Sequence, residues 1–145
     1  MTSQPYADLY DAYYYAHDCG LAYRRDRHWL EFFDAIAAQI VTSIGPHTAL
    51  DAGCAMGFLV EGLRKRGVDC YGVDISEYAI AEVHEDVRSY CWVGSICDPF
   101  PQQYDLIVCI EILPCIAMTA GTPTRARRGP SEARAPWSFV CIFAL

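Results

Sequence analysis

The feature that most constrains the fold is a regular alternation of short apolar segments with amphipathic ones. Four short apolar segments predict buried strands: 48–50, 68–73, 90–93 and 104–110. Helical spacing of apolar residues predicts four helices: 6–17, 26–44, 57–66 and 76–87. Strands that alternate with helices form a parallel sheet with helices on its faces. The sequence therefore predicts an α/β fold.

Composition and charge narrow the class of ligand. The chain has 145 residues, a common length for one domain, and a formal net charge of −7. An acidic chain repels phosphate backbones, which argues against nucleic acid and favours a small molecule. The longest apolar run, 106–118, is shorter than the ~20 residues that span a bilayer, so no membrane contact is predicted.

The eight cysteines form no Cys-x-x-Cys pair, and the first residues show no signal-peptide pattern. We therefore expect reduced thiols, no metal site and a cytoplasmic protein.

The alternating pattern ends near Leu113, and Pro, Gly and Arg are frequent in the residues after it. We expect one domain over 1–113, with a helical cap over 1–45, and an atypical tail over 114–145. The tail has two interpretations: disorder, or one extra edge strand formed by its apolar end, which would pair with the fourth strand. Without that strand the edge is open to association with another chain, and the sequence leaves the oligomeric state undecided.

A turn rich in small residues, from Asp51 to Gly57, joins the first strand to the next helix. Gly53 has no side chain, so the turn lets a ligand approach the backbone and the helix N-terminus closely. Asp74 ends the second strand, where a carboxylate can accept both hydroxyls of a ribose, and Ile75 can pack on an adenine face. The sequence therefore predicts a nucleoside-containing cofactor.

The glycine pattern discriminates between two such cofactors. A dinucleotide needs Gly-x-Gly-x-x-Gly, and an acid beside its pyrophosphate would repel it. Here Asp51 directly precedes the turn and Ala55 replaces the second glycine. An acid suits the positive amino or sulfonium group of S-adenosyl-L-methionine, and an NAD-dependent oxidoreductase is the third-ranked alternative.

Four segments in order resemble the class I S-adenosylmethionine-dependent methyltransferases: 51–57, 72–76, 94–96 and 104–113. The resemblance spans about residues 25–113 and implies a Rossmann-like, three-layer α/β/α parallel sheet. The cofactor-binding residues that it implies are Asp51, Ala52, Gly53, Cys54, Gly57, Asp74, Ile75, Ser95, Ile96 and Glu111. It also implies that the segment before the first strand can lie over the cofactor, with core packing as the alternative role of its aromatic residues: Tyr13, Tyr14 and Tyr15.

Two departures from the family pattern bear on function. Many members have Asp where Ser95 stands, and the family's sheet continues through further strands, so the predicted sheet is incomplete in its C-terminal half. We expect a methyltransferase acting on a small molecule, in complete or truncated form, with a non-catalytic remnant or interaction module as the alternative. An oxygen acceptor would need a base, for which His17 and Glu111 are the candidates.

Overall fold

The structure, a computed structural model, describes residues 7–110 and the backbone of 138–142. Its sheet has five strands in the order β3-β2-β1-β4-β5, and every pair is parallel. The strands are β1 (Thr48–Ala52), β2 (Asp69–Asp74), β3 (Cys91–Val93), β4 (Leu106–Ile110) and β5 (Ser138–Ile142). The predicted α/β, Rossmann-like parallel sheet is confirmed.

Three α-helices lie among the strands: α1 (Arg27–Ser43), α2 (Phe58–Lys65) and α3 (Glu77–Ala81). The predicted N-cap of α1 is confirmed, since the Asp26 side chain accepts a hydrogen bond from the Trp29 amide at 3.2 Å. The two longer helices pack closely, because a Cβ added to Gly62 of α2 would lie 2.9 Å from the Cβ of Ala37 in α1.

The third helix is shorter than the 76–87 that apolar spacing predicts. An arginine side chain bonds the carbonyl groups at its end. Arg88 donates to the carbonyl of Ala81, the last helical residue, and to that of Val83, two residues further on. Side-chain donors at a helix end replace the backbone partners that a further turn would supply. Val83 and Val87 are nevertheless buried, so the apolar pattern identified core positions while the helix ends early.

The N-terminal segment, residues 7–23, departs from the single helix predicted over 6–17. It contains a short 3₁₀ turn, Ala7–Leu9, and a π-helical turn, Tyr14–Asp18. The chain then folds back, because the Tyr23 amide donates to the Tyr15 carbonyl at 2.7 Å. Tertiary packing of the aromatic rings therefore overrides the local helical preference.

The two faces of the sheet carry different layers. One face packs against the helices and the N-terminal segment in the larger core cluster. The other carries a smaller cluster built on Leu50, Ile107 and Tyr104, with Phe100 from the loop before β4 packed against it. The strand order reverses between β1 and β4, and in open parallel sheets ligands bind beside the carboxyl ends of the strands at such a point.

The tail supplies the outer strand of the sheet. β5 pairs with β4 over five residues, from Leu106 opposite Ser138 to Ile110 opposite Ile142. For residues 138–142 the structure agrees with one of the two interpretations of the tail, the extra edge strand. β5 occupies the edge of β4 that could otherwise pair with another chain. Within the part of the chain that the structure describes, no helix has the length and apolar character needed to cross a membrane.

Candidate functional site

The turn after β1 folds back over the end of β2. Gly53, Ala55 and Gly57 have positive φ angles of 86°, 47° and 75°. The amides of Gly53 and Cys54 both donate to the carbonyl of Val73, at 2.7 and 3.0 Å. Glycine adopts a left-handed backbone conformation readily, whereas other residues adopt it at a cost in energy. The left-handed path of the turn therefore explains its glycines.

The internal hydrogen bonds of the turn limit what it can offer a ligand. Besides the Gly53 and Cys54 amides, the Ala55 amide donates to Asp74 and the Gly57 amide donates to the Cys54 carbonyl. Four amides of the turn are thus engaged within the protein. The turn gives a ligand steric access to the backbone, but these four amides already have acceptors.

Asp74 fastens this turn to β2. Its Oδ2 accepts from the Ala55 amide and its Oδ1 from the Ser76 amide, both at 2.8 Å. The carboxylate is 8% exposed; burial raises its pKa, while the backbone hydrogen bonds oppose that rise. The Ile75 amide also opposes that rise, and since a carboxylate has about four acceptor positions, acceptor capacity remains for a ligand.

Asp51 lies at the end of β1 and is buried to a similar degree, at 4% exposed. Among the described residues no donor forms a hydrogen bond to its carboxyl group. Burial, and then the nearby charge of Asp74, raises the pKa of Asp51 to about 8. A buried carboxyl group without donors is a site that a cationic ligand group would stabilise.

The N-terminal segment covers both acids. Burial and then the charge of Asp74 raise the pKa of Tyr15, and burial and then the charge of Asp51 raise the pKa of Tyr23. The Ser76 hydroxyl donates to the Tyr10 carbonyl at 2.5 Å, which fixes the segment to the start of α3. Of the three predicted tyrosines, Tyr15 is the buried one and Tyr13 is exposed.

Tyr23 is a residue of the site that the sequence reasoning missed. Its ring stacks on Phe58, with the ring centroids 5.3 Å apart, and contacts Trp29 at 4.7 Å. In the sequence, Tyr23 is an aromatic residue three positions before the N-cap of α1. The spacing of apolar residues within helices does not detect a residue in that position.

The loop after β3 also reaches this edge of the sheet. The Gly94 amide donates to the Asp74 carbonyl at 2.8 Å, so the half-buried Ser95 and Ile96, which follow Gly94, lie near the end of β2. Ile96 packs against the smaller core cluster, to which Ala52 also belongs. Ile75 is half-buried beside Asp74.

Of the two candidate bases, the structure describes His17. His17 is exposed, and its ring contacts that of Tyr13, with the centroids 4.5 Å apart. Glu111 lies outside the residues that the structure describes. Over that same part of the chain, no group of three His, Cys, Asp or Glu side chains could hold a metal ion.

A third buried acid, Glu61, has a structural role. It lines a groove between α1 and α2, where Arg25 bonds both of its oxygens at 2.7 and 3.0 Å and Lys65 bonds one at 2.7 Å. The hydrogen bond from Arg25 is the main cause that lowers the pKa of Glu61 to about 2. Its charge is already paired, unlike that of Asp51.

Comparison with known proteins supports one family. A family model described as "Methyltransferase domain" matches residues 50–128, more than half of the chain. The chain is 32% identical over 83 residues to a ubiquinone biosynthesis O-methyltransferase of Methylococcus capsulatus, which covers 52% of this chain and 35% of that protein. A second such protein, from Nitrosomonas europaea, is 30% identical over 84 residues, with 52% and 35% covered.

Among solved structures, the magnesium protoporphyrin IX methyltransferase ChlM of Synechocystis PCC 6803 with bound SAM aligns with a TM-score of 0.55 and 18% identity. The alignment covers 78% of this chain and 65% of that one. This likeness supports the fold. The chain spans about a third of the length of the curated relatives it matches.

Proposed function

The chain belongs to the methyltransferase domain family, and on that premise we propose that it is the cofactor-binding part of an S-adenosylmethionine-dependent methyltransferase acting on a small molecule. The observation that carries the proposal is Asp51, a buried carboxyl group at the end of β1 without a hydrogen-bond donor among the described residues. The ammonium group of S-adenosylmethionine would supply both the missing donor and a compensating charge.

The remaining residues fit the rest of this cofactor. Asp74 keeps acceptor capacity for the ribose hydroxyls, and Ile75 follows it as an apolar surface for adenine. Ser95 and Ile96, in the adjoining loop, would meet the adenine edge. Gly53 would let the methionine part approach the backbone, with Ala52, Cys54 and Gly57 forming the frame of the turn.

The turn disfavours a dinucleotide for a reason visible in its hydrogen bonds. A pyrophosphate is bound by free backbone amides at such a turn. Here the amides of Gly53, Cys54, Ala55 and Gly57 already donate within the protein, so they are not free to bind that anion. An NAD-dependent oxidoreductase therefore fits these residues poorly.

The chemistry that the cofactor supplies when bound is an electrophilic methyl group on a sulfonium cation. The protein contributes orientation and the exclusion of water, because methyl transfer is an in-line displacement. Tyr15 and Tyr23 supply that exclusion from the N-terminal segment. The named relatives are O-methyltransferases, and an oxygen acceptor would need a base; His17 and Glu111 remain our candidates.

We further propose a cytoplasmic location, because Cys54, Cys70, Cys91 and Cys97 are free thiols and cytoplasmic thiols are kept reduced. The proposed acceptor is a small molecule, as the names of the curated relatives suggest.

Isothermal titration of the full chain with S-adenosylmethionine, S-adenosylhomocysteine and NAD tests the proposal. We expect micromolar binding of the first two and none of NAD. Measurable affinity for NAD alone would favour the oxidoreductase. A second assay follows transfer of a labelled methyl group to a panel of phenols; binding without transfer to any of them would favour the non-catalytic alternative.

A further inference from the structure

Two cysteines meet beneath the turn of the candidate site. In the pairing of β2 with β3, Gly72 lies opposite Cys91, so Cys91 projects from the same face of the sheet as a side chain on Gly72 would. A Cβ added to Gly72 would lie 2.7 Å from the sulfur of Cys54 and 2.8 Å from its Cβ. The Cys54 side chain therefore fills the space above Gly72, beside Cys91.

The position of the Cys91 sulfur agrees with this arrangement. A Cβ added to Gly57, at the other end of the turn, would lie 3.4 Å from it. Both thiols are free, and the Cys91 thiol lies close enough to Cys54 to raise the pKa of Cys54. The pair thus links the turn, through Cys54, to the edge strand β3, through Cys91.

The two thiols differ in access and reactivity. Cys54 is buried, and its interaction with the neighbouring Cys91 thiol, followed by burial, raises the pKa of its own thiol. Cys91 is half-buried, so an oxidant reaches it more readily. Protonated, buried thiols react slowly, which makes Cys91 the first site of attack and Cys54 the resolving thiol.

We propose that Cys54 and Cys91 form a redox-modification site that takes an intramolecular disulfide when a peroxide is present. In the first step the Cys91 thiol is oxidised to a sulfenic acid and the peroxide is reduced; hydrogen peroxide yields one water. In the second step the Cys54 sulfur attacks the sulfenic sulfur, the S–S bond forms, and a second water leaves with the Cys54 proton. A dithiol reductant restores both thiols.

The disulfide would draw the turn toward β3, because two covalently bonded sulfur atoms lie closer than two sulfur atoms in van der Waals contact. The turn carries Gly53 and the Ala55 amide that bonds Asp74. We therefore expect oxidation to weaken cofactor binding, a consequence that rests on the proposed function. Formation of the disulfide itself does not depend on that function.

The test treats the full chain with hydrogen peroxide, alkylates the remaining thiols under denaturing conditions and maps the peptides by mass spectrometry. Digestion uses trypsin and chymotrypsin together, because Trp92 lies between Cys91 and the exposed Cys97. We expect a linked peptide that joins Cys54 to Cys91. In the oxidised chain we expect at least tenfold weaker binding of S-adenosylhomocysteine, reversed by dithiothreitol.

Two variants control the measurement. Cys91→Ser should abolish the linked peptide and the response to peroxide, whereas Cys97→Ser should keep both. Recovery of Cys54 and Cys91 as alkylated thiols while Cys97 is oxidised would overturn the proposal, as would an equal loss of affinity in Cys91→Ser. If the reduced chain does not bind S-adenosylhomocysteine, the proposed function fails, and the peptide map still decides whether the disulfide forms.

Discussion

Asp51 and Asp74 occupy equivalent places at the carboxyl ends of neighbouring parallel strands, yet their surroundings differ. Both are almost fully buried, at 4% and 8% exposed. Asp74 accepts hydrogen bonds from the Ala55 and Ser76 amides, whereas Asp51 has no donor among the described residues.

The difference separates a structural role from a binding role. Asp74 holds the turn against β2 and retains acceptor positions for a ligand, so it serves both. The Asp51 carboxyl group has no hydrogen-bond donor among the described residues and carries the cost of burial, which raises its pKa to about 8. A buried group that destabilises the free protein is typical of a binding site rather than of a scaffold.

The largest effect is expected from Asp74→Ala, which tests the structural half of the comparison. The change leaves the Ala55 and Ser76 amides without their acceptor, and the Ser76 amide is buried. Unsatisfied buried donors cost about 1–3 kcal/mol each, so we expect the free energy of unfolding to fall by about 3 kcal/mol. Urea denaturation followed by circular dichroism measures it. A loss below about 1 kcal/mol would contradict the structural role of Asp74.

Asp51→Asn tests the binding half. No described hydrogen bond is lost, and a group that resists ionisation is replaced by a neutral one, so we expect the free energy of unfolding to be unchanged or higher. Binding of S-adenosylmethionine should weaken by about 2 kcal/mol, as for loss of a charged hydrogen-bond acceptor. Calorimetric titration beside urea denaturation measures both. A destabilised variant with normal affinity would reverse the roles we assign to the two acids.

The pH dependence of binding sharpens the comparison further. With a pKa of about 8, Asp51 is protonated at neutral pH and must release a proton to pair with a cation. Affinity for S-adenosylmethionine should therefore rise from about pH 6 to about pH 8, by up to tenfold per pH unit. Titration in buffers of different ionisation enthalpy should detect proton release near pH 7. Asp51→Asn keeps any titration of the ligand, so a pH dependence equal to that of the original chain would exclude Asp51 as its source.

The raised pKa of Asp51 also determines whether its contribution to the free energy of unfolding rises or falls with pH. In the unfolded chain Asp51 ionises near its ordinary pKa of 3.8, while in the folded chain it holds its proton up to about pH 8. Unfolding therefore releases a proton between these values, and the contribution of Asp51 to the free energy of unfolding falls as the pH rises through them. In Asp51→Asn that decline should be absent.

Much of the fold could be predicted because its signals are local. The apolar runs located β1 to β4, and Asp26 located the start of α1. The early end of α3 depends on Arg88 reaching back to the Val83 carbonyl, and the turns of the N-terminal segment depend on Tyr15 meeting Tyr23. Contacts of this kind form only after the elements pack, so residue spacing does not report them.

In the candidate site, too, some features could be predicted from local sequence signals and others depend on packing. Asp51, Gly53 and Asp74 could be predicted because strand ends and small-residue turns are visible in the sequence. The engagement of the turn amides with Val73 and Asp74 could not, because it depends on how the turn folds over a strand 19 residues away from Ala55. The cover supplied by Tyr23 depends likewise on the path of the N-terminal segment.

The smallest effect is expected from Ala55→Gly, in the turn that joins the two acids. Ala55 has a φ of 47°, a left-handed conformation that costs a residue with a Cβ about 1–2 kcal/mol. Glycine removes that cost but gives the unfolded chain about 0.4–1 kcal/mol more conformational entropy. We therefore expect the free energy of unfolding to rise by about 0.5 kcal/mol, as measured by urea denaturation.

Gly67→Ala is the matched control for Ala55→Gly. Gly67 has a φ of 82°, and an added Cβ would meet no atom within 4 Å, so the substitution isolates backbone strain. It should lower the free energy of unfolding by about as much as the other change raises it. If Ala55→Gly instead destabilises the chain while Gly67→Ala behaves as expected, the Ala55 methyl group stabilises the turn by packing. The turn that connects Asp51 with Asp74 would then be stabilised by side-chain contact as well as by the hydrogen bond from the Ala55 amide to Asp74.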